Sequence, residues 1–133
     1  MCKKVLVDTS VFMYLAEKGL DLLDVLFERE DVCRVVVPSA VLSELKHLSL
    51  SSRGAKARRA KLALKLLEEV LKRHPKLFEV LDCEVGKDVD KSLVNLAFKE
   101  GYILATADRN LKKNALQAGV EVLFLRRSTG RLS

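Results

Sequence analysis

Four acidic residues stand at positions where a parallel sheet would bring them together. Asp8 and Asp108 each follow a short apolar run, Glu44 lies soon after a third run, and Asp90 lies at the start of a helical pattern. Carboxylates that meet in this way repel one another and raise each other's pKa unless a cation compensates. Because no His or Cys falls among them, the pattern predicts an oxygen-only site for Mg²⁺ or Mn²⁺.

Phosphodiester hydrolysis is the reaction class that such a site favours, since a hard divalent cation activates water and neutralises a phosphate under attack. Each Asp also has an ordinary explanation, because Asp is preferred at helix N-termini. Asp88 and Asp108 are good N-cap candidates. Glu44 differs, because it falls in the second turn of a predicted helix that Ser39 already suits as a cap.

The elements that must position these acids alternate along the chain. Runs of β-branched and aliphatic residues predict buried strands at residues 4–7, 34–37, 102–105 and 121–125, with a weaker candidate at 78–81. Helical periodicity predicts a hairpin broken at Gly19, a helix after Pro38-Ser39, and helices over 56–73, 89–99 and 110–118. Alternation of this kind predicts an α/β fold, a three-layer α/β/α sandwich with a central parallel sheet. Such sheets place their sites beyond the carboxyl ends of the strands, where strand order reverses.

Length and composition indicate one domain over residues 1–133, since 49% hydrophobic residues suffice for one core. The apolar run at the start is too short for a signal peptide or a membrane span, so we expect no membrane association and a cytoplasmic location. Cys2, Cys33 and Cys83 are odd in number and far apart, which predicts structural thiols rather than zinc ligands.

The formal net charge of +6 is concentrated in one segment. Residues 46–76 hold ten Lys or Arg against two Glu, a balance of +8, so the remainder sums to −2. A basic flank beside carboxylates suits a protein that attracts a polyanion, although a solvated helix face would look the same.

Three segments together resemble the PIN-domain family. They are VLVDTSVF at residues 5–12, VPSAVLSEL at 37–45 and ATADRNL at 105–111, and the likeness covers nearly the whole chain in the family's order and spacing. The resemblance implies an α/β fold related to the 5′-nucleases and an Mg²⁺- or Mn²⁺-dependent endoribonuclease that cleaves single-stranded RNA.

Carried over residue by residue, the resemblance assigns the catalytic and metal-binding acids to Asp8, Glu44, Asp90 and Asp108. Many relatives have adjacent acids where this chain has Asp88-Val89-Asp90-Lys91, and alignment on Leu93 and Ala97 favours Asp90 as the third acid. Asp88 is then a cap or a supporting residue. The hydroxyls of Thr9, Ser10 and Thr106 either orient the carboxylates or cap helices.

The basic segment gains an RNA-binding role from this reading, because its cations could follow a phosphate backbone. The candidate RNA-binding residues are Lys46, Arg53, Lys56, Arg58, Arg59 and Lys61.

Two roles compete within the family, and both imply a partner besides RNA. The tail over 111–126 is more similar to the ribosome-maturation branch, which favours rRNA processing with a ribosome-assembly partner. The alternative is the toxin of a toxin-antitoxin pair, with an antitoxin as its partner. The family also implies a homodimer as often as not, which exposed apolar positions on the hairpin over 11–27 would support.

Two other functions fit the sequence less well. A non-catalytic RNA-binding PIN module is disfavoured because all four acids are present. A phosphoacceptor receiver domain needs paired acids after its first strand and a Lys after a later one. Here Asp8 is followed by Thr9, and the strand over 102–105 leads to Thr106 and Asp108 with no Lys, so this function is disfavoured.

Overall fold

The computed structural model describes residues 2–82 and 88–125, which form strands and helices in alternation. The strands are β1 (Lys3–Val7), β2 (Val32–Pro38), β3 (Phe78–Leu81), β4 (Ile103–Thr106) and β5 (Val122–Phe124). The helices are α1 (Thr9–Lys18), α2 (Leu22–Leu26), α3 (Ser39–Ser51), α4 (Gly54–Arg73), α5 (Val89–Glu100) and α6 (Arg109–Gln117). All five predicted strands are present, with ends displaced by at most two residues.

The five strands form one parallel sheet in the order β3-β2-β1-β4-β5. The chain builds outward from β1 to β3 on one side and from β4 to β5 on the other. The order therefore reverses between β1 and β4, which pair through Val5–Ile103, Leu6–Leu104 and Val7–Ala105. Their carboxyl ends lie side by side at the crevice where open α/β sheets bind ligands.

Alternation along the strands divides the apolar side chains between two cores. Val5 and Val7 belong to one core with residues of α1 to α4, whereas Leu6 belongs to the other with residues of α5 and α6. All three side chains are fully buried. Burial on both faces is the mark of a central strand in a parallel sheet, and the predicted three-layer α/β/α architecture is confirmed.

Two of the helix ends are set by glycine. Gly19 ends α1 and Gly101 ends α5, with φ of 66° and 72° in the left-handed region that other residues rarely adopt. Gly19 therefore breaks the helical hairpin where the sequence predicted.

Two expectations from the sequence are wrong. Cys2 and Cys33 are not free thiols, because they form a disulfide with Cα atoms 5.3 Å apart. Cys83 lies outside the described residues. The hairpin over 11–27 does not expose its apolar side chains, since they pack into the core against α4. Among the described residues, large hydrophobic side chains are exposed elsewhere: Leu50, Leu62, Leu66, Val80, Phe98 and Leu116.

Polar contacts join the amino ends of three strands. Arg29, just before β2, donates to Asp31 and Glu121, with N–O distances of 2.6 Å in both pairs. Lys3 at the start of β1 also contacts Glu121, at 3.1 Å. None of the helices in the described part of the chain combines the length and the apolar character that crossing a bilayer requires.

Candidate active site

Asp8 is the buried centre of the site at the carboxyl end of β1. Its side chain is 5% exposed, and it accepts hydrogen bonds from Ser10 Oγ at 2.6 Å and from Thr106 Oγ1 at 3.0 Å. Burial, with a smaller contribution from the charge of Asp90, raises the pKa of Asp8 to about 7 against the opposing effect of the two hydroxyls. The two hydroxyl donors hold both carboxylate oxygens of Asp8 in one orientation.

The same hydroxyls tie the ends of β1 and β4 together. Thr106 Oγ1 accepts from the backbone N–H of Asp108 at 3.0 Å, and Ser10 Oγ accepts from the N–H of Ala107 at 2.9 Å. Thr106 is fully buried, so its hydroxyl is satisfied within the protein. Both hydroxyls therefore contact the Asp8 carboxylate and a loop amide at the switch between strands.

Asp108 performs the capping role that its sequence context suggested. Its Oδ1 atom accepts from the backbone N–H groups of Asn110 and Leu111, at 2.8 Å and 3.4 Å, at the start of α6. Capping and a place in the site are compatible, because Asp108 also lies on the wall of the cavity that contains Asp8.

Glu44 comes from α3, on the face of the sheet opposite to α5 and α6. It lies in the second turn of α3, is exposed, and its Oε2 accepts from Thr9 Oγ1 at 3.0 Å. The prediction that Thr9 orients a carboxylate therefore has a direct geometric counterpart.

The start of α5 separates the two candidates for the third acid. Asp88 is the N-cap and accepts from the backbone N–H of Lys91 at 3.1 Å. Asp90 lies in the first turn, and its pKa is raised by partial burial and then by the charges of Asp108, Asp88 and Glu44. Asp90 lines the cavity and Asp88 does not, so geometry favours the alignment on Asp90.

The four acids share one cavity of about 490 Å³, which we call the acidic cavity. α1 supplies Thr9, Ser10, Met13, Tyr14 and Glu17 to its wall, and α5 supplies Val89, Asp90 and Leu93. Two cations also lie on the wall, Lys56 and Arg59 of α4. Acids distant in sequence are thus brought together by the reversal of strand order.

The six predicted RNA-binding residues are divided by the structure. Lys56 and Arg59 line the acidic cavity, whereas Lys46, Arg53, Arg58 and Lys61 are exposed on α3, α4 and the turn between them, outside its wall. Only two cations of the basic segment, Lys56 and Arg59, therefore lie at the site.

Glu17 is the acid that sequence reasoning missed. It lies on the wall of the acidic cavity and pairs with Arg59, with Oε2 3.5 Å from Nη1. The signal was available, because Ser10, Met13, Tyr14 and Glu17 follow the spacing of one helix face. With Ser10 at the site, this spacing puts Glu17 on the same face of α1.

The donor set suits a hard divalent cation, because it consists of carboxylates. Besides burial, the charge of Asp90 raises the pKa of Asp8, and the charges of Asp108 and Glu44 raise the pKa of Asp90. Within residues 2–82 and 88–125, however, no three His, Cys, Asp or Glu side chains stand in an arrangement that would hold a metal ion. Repulsion keeps like charges apart, and Glu44 and Asp108 are engaged by Thr9 and the amides of α6. The acids line a common wall, and binding a cation would require their side chains to turn toward one point.

Comparison with known proteins gives consistent results. A family model described as "PIN like domain" matches residues 5–128. The curated protein Ribonuclease VapC9 of Archaeoglobus fulgidus is 38% identical over 120 residues, which is 90% of this chain and 81% of that protein.

Solved structures share the fold at lower identity. The PIN domain endonuclease Utp24 superposes with a TM-score of 0.70 at 22% identity, covering 98% of this chain and 90% of that one. A domain of a functionally unknown protein from Methanocaldococcus jannaschii gives 0.68 at 24% identity, covering 94% and 92%. VapBC2 from Rickettsia felis, solved with a DNA fragment from its promoter, gives 0.58 at 16%, covering 91% and 98%.

Proposed function

The chain belongs to the PIN-like domain family, and on this premise we propose that it is a divalent-metal-dependent endoribonuclease that cleaves single-stranded RNA. The observation that carries the proposal is the acidic cavity at the β1–β4 switch, whose wall includes Asp8, Glu44, Asp90 and Asp108. The name of the 38% identical relative, a ribonuclease, supports RNA as the substrate.

The proposed cation, Mg²⁺ or Mn²⁺, would be held by the four acids. When bound, it activates water and neutralises the phosphate under attack. Asp8 is the anchor of this set, since Ser10 and Thr106 already fix its two oxygens. Thr9 orients Glu44 in the same way. Hydroxyls of this kind hold ligands in place and raise metal affinity.

The test is cleavage of a labelled single-stranded RNA with Mn²⁺ or Mg²⁺ by purified protein. We expect Asp8→Asn and Asp108→Asn each to lower kcat/KM by at least about a hundredfold, because loss of an outer-shell partner alone costs 10–100-fold in metal sites. Asp24→Asn is the matched control, an exposed acid of α2 outside the acidic cavity, and it should cleave at the unmodified rate. Cleavage that survives both active-site substitutions would overturn the proposal.

Metal dependence needs its own readout. Isothermal titration with Mn²⁺ should show binding that Asp8→Asn weakens and Asp24→Asn does not. RNA binding without any binding of Mn²⁺ or Mg²⁺ would favour the non-catalytic module.

Between the two biological roles, one observation favours the toxin. The relative with 38% identity is a VapC protein, whereas Utp24, at 22%, supports the fold alone. We expect inducible expression to arrest growth, Asp8→Asn to abolish the arrest, and the product of an adjacent small gene to relieve it as an antitoxin. Growth unaffected by active protein, with unprocessed rRNA accumulating in its absence, would favour the processing role and a ribosome-assembly partner. The cytoplasmic location and the homodimer stay predictions.

A further inference from the structure

An arginine and a glutamate pair at the edge of the acidic cavity. Arg59 lies in the second turn of α4 and Glu17 in the last turn of α1, with Nη1 and Oε2 3.5 Å apart. Both side chains keep access to solvent, at 38% and 49% exposure. Ion pairs this exposed contribute little to the stability of the fold, so stabilisation is a weak explanation for the presence of this pair.

The charges on the cavity wall oppose the binding of a polyanion. Five carboxylates face two cations, a formal balance of −3 when all are ionised. A bound divalent cation would leave −1, still repulsive toward a phosphate. Binding RNA here therefore depends on Lys56 and Arg59, and one of these two is occupied by Glu17.

We propose that Arg59 and Lys56 bind the RNA phosphates next to the cleaved bond, and that Glu17 competes with RNA for Arg59 and so lowers affinity. This inference rests on the proposed function. The guanidinium of Arg59 matches a phosphate as well as it matches a carboxylate, so RNA can replace Glu17 as its partner. The released Glu17 carboxylate, which is 49% exposed, is then solvated by water. Lys56 is exposed on the same wall, one helical turn before Arg59, and forms no ion pair with the described part of the chain.

The competing explanation is that Glu17 is a fifth acid of the metal site. The two explanations predict opposite results for Glu17→Gln. If Glu17 restrains Arg59, the substitution strengthens metal-free binding of RNA. If Glu17 instead holds the cation, the substitution weakens cleavage and leaves metal-free binding of RNA unchanged.

The first experiment measures binding of a fluorescein-labelled oligouridine by anisotropy in EDTA, at low salt, where no cleavage occurs. We expect Arg59→Ala to weaken binding by about tenfold, the loss of one charge-assisted hydrogen-bonded contact, and Glu17→Gln to strengthen it several-fold. In the Arg59→Ala background, Glu17→Gln should lose most of its effect. The slope of log affinity against log salt should become less steep by about 0.7 in Arg59→Ala, the value for one phosphate contact on a single strand.

Two comparisons make the result specific to the site. Arg58→Ala removes the same charge one position along α4 but outside the cavity wall, and it should weaken binding much less. Glu28→Gln removes an exposed acid outside the cavity and should leave affinity unchanged. Equal losses in Arg58→Ala and Arg59→Ala would overturn the inference in favour of a diffuse basic face.

The second experiment repeats the series as Mn²⁺-dependent cleavage. Arg59→Ala should raise KM, and Glu17→Gln should lower KM by the factor found in binding. A Glu17→Gln variant that loses cleavage without gaining affinity would overturn the inference. The binding experiment in EDTA needs no catalysis, so the two proposals can fail separately. The expected binding pattern in a protein that does not cleave RNA would contradict the proposed function alone. Cleavage by a protein in which Arg58→Ala and Arg59→Ala weaken RNA binding equally would contradict this inference alone.

Discussion

At the scale of single residues, Asp8 carries the largest electrostatic cost in the site. The hydroxyls of Ser10 and Thr106 and the backbone N–H of Val11 stabilise its carboxylate, and Asp90 repels it. Burial outweighs the hydroxyls and raises the pKa of Asp8 to about 7. Without a cation, ionised Asp8 therefore destabilises the fold, as expected for a group built to bind positive charge.

The pH dependence of stability should report this cost. Because the folded pKa of about 7 lies above the ordinary 3.8, the contribution of Asp8 to stability is complete below about pH 3.8 and is lost as the pH rises through 7. Asp8→Asn cannot ionise, so at pH 8 in EDTA we expect it to be more stable than the unmodified protein by roughly 1–3 kcal/mol, less than the full shift implies because an amide pairs less well with two hydroxyls. Urea unfolding at pH 8 and pH 4 measures the difference.

The expected sign reverses common experience, in which substitutions at buried polar groups destabilise. Near pH 4 the advantage of Asp8→Asn should vanish, and saturating Mn²⁺ should restore the unmodified protein above the variant. Asp24→Asn should show neither effect. An Asp8→Asn variant that is less stable at pH 8 in EDTA would contradict the raised pKa.

At the scale of elements, the first turn of α5 assigns different tasks to two acids separated by one residue. Asp88 caps the helix through the N–H of Lys91, and Asp90 lies on the cavity wall near Asp108 and Glu44. Residues two apart on a helix do not share a face, so only one of these acids can point into the cavity.

Substitution should separate the two acids. Asp90→Asn is expected to weaken Mn²⁺ binding and lower cleavage at least about tenfold, with little loss of stability. Asp88→Ala is expected to lower the free energy of unfolding by about 1 kcal/mol, the usual value of an N-cap, with cleavage largely retained. Titration calorimetry and thermal unfolding on both variants make the comparison. The reverse assignment of effects would show that Asp88 is the third acid.

At the scale of the whole molecule, the parallel sheet places the stabilising cross-links and the acidic cavity at opposite ends of its strands. The Cys2–Cys33 disulfide and the Arg29–Glu121 ion pair lie at the amino ends of the strands. The acidic cavity lies at the carboxyl ends. Because all strands point the same way, the two sets of contacts stand at opposite edges of one sheet.

Removal of the disulfide should therefore change stability and spare cleavage. The bond closes a loop of 31 residues, so Cys33→Ser should lower the free energy of unfolding of the oxidised protein by about 2–4 kcal/mol. The KM and kcat for RNA should be unchanged at a temperature where both proteins are folded. Cys83→Ser, which leaves the Cys2–Cys33 bond in place, is the control. Equal unfolding free energies of Cys33→Ser and the oxidised unmodified protein would contradict a stabilising bond.

Much of the site could be anticipated because local patterns carry it. Asp8 and Asp108 were found from their positions after apolar strands, and the caps formed by Asp88 and Asp108 from helix-start preferences. Glu17 shares a helix face with Ser10 and could have been placed from it, but its pairing with Arg59 depends on how α4 packs against α1. The division of the cations, with Lys56 and Arg59 at the cavity and Arg58 outside it, likewise depends on how α4 packs against α1.

The sequence by itself determined the strands, the helix breaks and the parallel α/β class, because alternation, helical period and glycine conformations are local properties. Residue type and motif also predict which acids form the candidate site and the chemistry that we propose for them. Only the tertiary structure decided that strand order reverses between β1 and β4, which neighbours surround Asp8, and that Cys2 meets Cys33. Those outcomes depend on contacts between distant segments, whose geometry is set when the two cores pack against the sheet.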